Sequence, residues 1–158
     1  MRHGFIMLFL VLFLRLTCNV QAAGSGLIDN FNDGKVTWST WTSPDAKEPT
    51  LSITPDAAEG KGALLVEFSK SGFTTLVCRL GVTPPANCDA ISFWIKRVSG
   101  NPGCDLQLEE NPKRCPEGID CFRAPMPVPA NDQWTRVVVP FREFRYAYSL
   151  HGKGNQKF

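Results

Sequence analysis

The stretch "AISFWIKRVSG", residues 90–100, decides how the chain is read. Alternation sends Ile91, Phe93 and Ile95 to one face of an extended strand and Ser92, Trp94 and Lys96 to the other. The first face is a core pattern. The second carries the largest apolar side chain available, between a hydroxyl and an ammonium, and a solvated sheet has no need of it. Either Trp94 lies on a ligand-facing surface, or it covers the sheet against a loop.

Outward from that stretch the chain reads as strand after strand. "LIDNF" (27–31), "TLSIT" (50–54), "ALLVEF" (63–68), "FTTLVCRL" (73–80), "CDLQLE" (104–109) and "QWTRVVVP" (133–140) are short apolar or alternating runs. Between them lie segments rich in Gly, Pro, Asp and Asn, which is the spacing of a sandwich or barrel. Windows of helical period never last three turns. In 104–109 parity aligns Cys104, Leu106 and Leu108, with Asp105, Gln107 and Glu109 opposite. If the strands at 90–97 and 104–109 are neighbours, one face is apolar and the other offers Trp94, Lys96, Gln107 and Glu109.

The N-terminus has a different character. A basic start, "MRH", precedes the apolar run "FIMLFLVLFL", and "VQA" (20–22) supplies small residues before a cleavage point. Residues 1–22 therefore read as a secretory signal peptide, too short to span a bilayer. A lipid anchor at Cys18 is disfavoured because Arg15 stands where an aliphatic residue is wanted. The expected product is secreted or extracytoplasmic, with no membrane contact once the signal is removed. Seventeen lysines and arginines face fifteen acids, and Arg2 and Arg15 leave with the signal, so the remainder is neutral. That balance argues against a nucleic-acid partner and for a neutral ligand.

Five cysteines lie beyond the signal: Cys78, Cys88, Cys104, Cys115 and Cys121. Export makes disulfides the default. The close pairs that zinc prefers are missing, so we expect no metal site. In "CPEGIDC", Pro116 and Gly118 favour a reversal that would bridge Cys115 to Cys121. Cys78 and Cys104 face the core by parity, and the odd count leaves one thiol over. The chain does not read as an enzyme. His151 is the one histidine after the signal, and Glu109 and Glu110, being adjacent, point to opposite faces of a strand.

Four motifs keep the order seen in one known group: "LIDNFNDG", "GKGALLVEF" (60–68), "DAISFWIKR" (89–97) and "QWTRVVVPFREF" (133–144). On these the chain resembles carbohydrate-binding modules of the galactose-binding-like β-sandwich, with CIA30-type domains as more distant relatives. The resemblance implies an all-β jelly roll over 23–144 whose concave sheet binds a polysaccharide or oligosaccharide. It also implies that such domains continue with further strands, so residues 145–158 are expected to be a polar tail on a sandwich lacking its last strands. Asp29 matches a calcium-sharing acid of some relatives, but its usual partner is absent, and no cofactor is carried over.

Sugars offer apolar C–H faces to aromatic rings and hydroxyls to planar polar groups. The expected ligand-binding residues are accordingly Trp94, Gln107, Glu109 and Lys96, together with Trp41 and Trp38 of "WSTW", a pair that could instead close the sandwich edge. Trp134 reads as a core anchor. The expected function is a secreted, non-catalytic glycan-binding module. A structural or protein-binding extracellular sandwich is the alternative, and the oligomeric state is open.

Overall fold

The computed structural model describes residues 8–9, 15–18, 27–68, 73–78, 88–100, 103–110 and 117–157. Its strands are β1 (Leu8–Phe9), β2 (Arg15–Cys18), β3 (Ser39–Thr42), β4 (Thr50–Thr54), β5 (Ala63–Glu67), β6 (Thr74–Val77), β7 (Cys88–Arg97), β8 (Asp105–Glu109), β9 (Ile119–Pro125), β10 (Thr135–Pro140) and β11 (Arg145–Leu150). One 3-10 turn, Phe141–Glu143, is the only helical element among the described residues. The chain is all-β, built of antiparallel sheets.

The chain divides into two compact units, Met1–Pro102 with Val128–Val138, and Gly103–Pro127 with Val139–Phe158. The larger sheet runs β10-β7-β1-β5-β4, with β2 also on β7, and a separate two-stranded sheet pairs β3 with β6. The smaller sheet has the order β11-β9-β8.

Within the first unit β7 behaves as its alternation dictates on one face and departs from it on the other. Ile91, Phe93 and Ile95 are buried, with Leu64 and Val66 of β5 among the fully enclosed side chains. Ser92 is buried too, and Trp94 and Lys96 are half-buried, so both faces of β7 are covered. Trp94 packs, with Leu27, Ala57 and Trp134, against Ala63. The half-buried tryptophan thus shares that packing with Ala57 of the loop after β4.

"LIDNF" does not form the expected strand, apart from an isolated bridge at Leu27. Its polar residues bind nearby backbone instead. The Asp29 carboxylate accepts the Phe31 N–H (2.9 Å), and the Asn30 side chain accepts that of Asn32 (3.1 Å). Such local bonds compete with a sheet ladder. Phe31 is held at φ +52 and is buried against Trp38, with ring centroids 6.0 Å apart.

Residues 145–158 are also corrected. Arg145–Leu150 is β11, paired along β9 with an irregularity between Tyr146 and Tyr148. The segment after β11 is anchored. The Asp120 carboxylate is fully enclosed and accepts hydrogen bonds from the Ser149 hydroxyl (2.5 Å) and from the N–H groups of Asn155 (2.9 Å) and Gln156. Gly154, at φ +59, lies so close that any β-carbon there would run into that carboxylate. Gly154→Ala should therefore detach residues 152–157 and combine a left-handed penalty of about 1–2 kcal/mol with an outright clash. Proteolytic nicking after Leu150 is the measurement, and a chain as resistant as wild type would refute the anchor.

Candidate functional site

The expected grouping of Trp94 and Lys96 with Gln107 and Glu109 does not form one sheet face. β7 belongs to the first unit's sheet, whereas β8 pairs with β9 in the second unit's sheet. Proximity in sequence between two strands did not make them hydrogen-bonded neighbours.

On the first unit, Lys96 is committed locally. Its ammonium lies 2.6 Å from one Asp56 carboxylate oxygen, while the Trp134 indole N–H donates to the other at 3.0 Å. The same ammonium stands 5.7 Å from the centre of the Trp134 ring. These donors, Lys96 first, hold the Asp56 carboxyl below the usual carboxylate range. A depressed folded pKa stabilises the fold above the ordinary value of about 3.9, and that contribution is lost as pH falls through the lower folded value. Because Asp56 is largely exposed, the effect on stability is small. It reads best as a loss of the Lys96 pair only at a pH below the ordinary carboxylate range, followed by carboxyl chemical shift.

The tryptophans separate cleanly. Trp38 is 7% exposed, and its indole N–H donates to Asp29 at 3.0 Å, so little of its ring is open for stacking. Asp29 is the acid matched to calcium-sharing relatives, and the Thr37 hydroxyl also donates to it at 2.9 Å. Trp41, on β3, is 58% exposed and meets Phe73 edge-on with centroids 6.1 Å apart. Truncating Trp41 to alanine should change stability by under about 0.5 kcal/mol, as at an exposed site, whereas Trp94→Ala should cost on the order of 2 kcal/mol. Denaturant midpoints of the two variants check this contrast, and equal losses would contradict it.

The second unit holds a polar face in which side chains orient one another. On β8, Gln107 and Glu109 share a face, and the register sets Gln107 opposite Arg123 and Glu109 opposite Cys121 of β9. β11 adds Tyr148 opposite Cys121. The Gln107 carbonyl oxygen accepts from Arg123 Nε at 2.9 Å and from the Tyr148 hydroxyl at 3.0 Å, and the Gln107 amide donates to Glu109 at 2.7 Å. The Arg123 guanidinium lies 5.1 Å from the Tyr148 ring centre. An amide, a guanidinium, a carboxylate and a phenol are thus fixed on one sheet surface. On the reverse face Leu106, Leu108, Phe122 and Ala124 pack inward, half-buried or buried, which gives the polar set a firm backing.

Cys121 lies at the floor of this face, fully enclosed, with a free thiol. The expected Cys115–Cys121 bridge is therefore corrected. Cys121 sits inside β9, opposite Glu109 of β8 and Tyr148 of β11, with its thiol unbridged; Cys115 lies outside the described residues. Burial, then Glu109, push the Cys121 thiol up, against the opposing pull of Tyr148 and Arg123. Cys104 is pushed up to about 11 by burial and Asp105, and Cys78 is also raised, by burial and then Asp29. Cys88 is disulfide-bonded. Raised thiols react slowly, since the thiolate is the nucleophile. We expect Cys121 to resist alkylation at pH 8 in the native chain and to react fully in denaturant; rapid native labelling would contradict its burial.

Two residues of the polar face, Arg123 and Tyr148, are not singled out by the sequence. Alternation in "IDCFRAP" does mark Arg123 indirectly, since Asp120, Phe122 and Ala124 oppose Cys121 and Arg123. Among the described residues, no group of three or more His, Cys, Asp or Glu side chains is arranged to hold a metal. No helix among them is long and apolar enough to cross a membrane.

Comparison with known proteins identifies no relative. No family model, curated protein or solved structure matches the chain.

Proposed function

We propose that the chain is a secreted, non-catalytic carbohydrate-binding module, a galactose-binding-like jelly roll in type, that recognises a neutral glycan on the polar face of β8, β9 and β11. The observation that carries the reading is the Gln107 side chain, held by Arg123 and Tyr148 on its oxygen and by Glu109 on its nitrogen. Sugar hydroxyls both donate and accept, and pairs of them match planar amide, carboxylate and guanidinium groups. Side chains already fixed by one another lose little rotamer entropy when a ligand arrives, which favours binding to a flexible, hydrated sugar.

Trp94 and Trp38 leave this proposal, because both are used to cover the first unit. Lys96 leaves with them, because it is paired with Asp56. Trp41 keeps an accessible ring. An exposed Trp41–Phe73 pair is also what a protein-binding sandwich would display, and this favours the second reading.

The two readings part in affinity electrophoresis of the purified chain through gels containing soluble neutral polysaccharides. Retardation by at least one glycan, lost in Gln107→Ala but kept in Trp94→Phe, supports glycan recognition. Unchanged mobility in xylans, mannans, β-glucans and galactans alike would set the proposal aside in favour of the protein-binding reading.

A further inference from the structure

β11 changes register half-way along β9. Arg145 pairs with Arg123 and Tyr146 with Phe122, but Tyr148 pairs with Cys121, Ser149 with Asp120 and Leu150 with Ile119. Ala147 is therefore the extra residue of a one-residue bulge. Residues two apart on a regular strand share a face, so Tyr146 and Tyr148 should lie together. They do not. The Tyr146 ring meets Phe122 edge-on, with centroids 6.2 Å apart, while the Tyr148 hydroxyl donates to Gln107 at 3.0 Å on the opposite face.

We infer that Asp120 is a positioning residue of the candidate site: by binding Ser149 it holds the shifted register that turns Tyr148 onto the polar face of β8, β9 and β11. What that face binds rests on the glycan-binding proposal, but the register does not. The apolar pattern of β11 works against the shift. In an unbroken ladder Tyr146, Tyr148 and Leu150 would all fall on the face of Phe122 and Ala124, which are buried, and burial of one face normally sets register. Tyr148 would then stand opposite Asp120, and Ser149 opposite Ile119 on the other face. The bulge gives up that apolar placement for Tyr148 and Leu150, so a contact of the shifted register must outweigh it.

The compensating contacts converge on one carboxylate. Asp120 is fully enclosed on the Phe122 side of β9, and one of its oxygens accepts the Ser149 hydroxyl at 2.5 Å. Its other oxygen accepts the N–H groups of Asn155 (2.9 Å) and Gln156. Hydrogen bonds to an ionised group are about twice as strong as neutral ones, and an enclosed carboxylate without them is costly. The Ser149 hydroxyl reaches it because Ser149 stands opposite Asp120, which only the shifted register provides. The Tyr146 hydroxyl lies 3.0 Å from the same Ser149 oxygen, on the same face. Glu110, just past β8, accepts the Asp120 N–H at 3.2 Å and fixes the residue from its other neighbour. Backbone strain accompanies the arrangement. His151 and Gln156, neither of them glycine, are held at φ +58 in the segment that wraps the carboxylate.

Nuclear Overhauser contacts in the isotope-labelled full chain test this, with polysaccharide gels as a separate readout. Wild type should join the Tyr148 ring to the Gln107 side-chain amide, and the Tyr146 ring to Phe122. Asp120→Asn, which replaces the charged acceptor with an amide carrying donors of its own, should lose the first contact and keep the second. Ser149→Ala leaves the carboxylate in place and should do the same, and it decides the matter if Asp120→Asn fails to fold. Deleting Ala147 from either variant should restore the Tyr148–Gln107 contact, since Tyr148 then follows Tyr146 directly and alternation alone sends it to the polar face. Retardation by a neutral polysaccharide should weaken by about tenfold in the point variants and return with the deletion. Variants that keep the Tyr148–Gln107 contact would overturn the inference. So would a Ser149→Ala chain that loses the Tyr146–Phe122 contact as well, or a deletion that fails to restore Tyr148, because Asp120 would then serve the sheet or tether residues 152–157 and nothing more. A wild-type chain that no polysaccharide retards would set aside the glycan reading alone, and the Tyr148 contacts would still decide the register.

Discussion

Arg123→Ala is expected to weaken binding of the recognised glycan by roughly thirtyfold, the loss of about 2 kcal/mol typical of an arginine at the centre of a binding surface. Two effects combine. The guanidinium that would meet a sugar hydroxyl disappears, and Gln107 loses one donor on its carbonyl oxygen, leaving Tyr148 alone to orient it. The amide is then free to turn, which disturbs Glu109 as well. Arg123→Lys should recover only part of the affinity, because an ammonium keeps the charge but not the planar fork. Calorimetric titration gives the affinities, and thermal melts of the same samples show whether the fold has suffered. An Arg123→Ala protein that melts normally and binds as tightly as wild type would remove Arg123 from the surface.

The largest effect on stability is expected at Phe93→Ala. Phe93 is 1% exposed, in the middle of β7, on the face shared with Ile91 and Ile95. Deleting a buried aromatic ring costs about 3–5 kcal/mol, transfer and cavity together. Against the roughly 5–15 kcal/mol that holds a typical domain, such a loss consumes a large share. Chemical denaturation should show the midpoint falling steeply with little change in slope. Ile95→Val, which removes one methylene from the same layer, should cost only about 1 kcal/mol. A Phe93→Ala midpoint equal to wild type would mean that this face is not the core.

These two positions also show how much is legible in the residues alone. Phe93 announces itself, since period-2 alternation over Ile91, Phe93 and Ile95 has one physical outcome, burial on a shared face. The all-β class comes from the same kind of signal repeated along the chain. Trp94 is ambiguous for a reason that alternation cannot resolve. Alternation assigns a side chain to a face, but whether a loop covers that face depends on residues such as Ala57 and Trp134, distant in sequence. Gln107 and Glu109 are found by parity on β8. Their partners Arg123 and Tyr148 are hidden, because "CPEGIDC" reads as a disulfide loop and 145–158 as a tail. Ser149 and the glycines around Asp120 make that tail an anchored element through side-chain-to-backbone bonds, which leave no periodic trace in sequence.

The pairing of β8 with β9, and not with β7, is the decision on which the proposed surface depends. A direct reading comes from titrating the isotope-labelled chain with a neutral oligosaccharide of whichever polysaccharide retards it, tracking backbone and side-chain resonances. The account predicts that the largest shifts fall on the Gln107 side-chain amide, the Arg123 Nε–H and the flanking amides of β8, β9 and β11, with Trp94 Nε1–H unmoved. Shifts centred on Trp94, Lys96 and Trp134, with Gln107 and Arg123 unchanged, would contradict it.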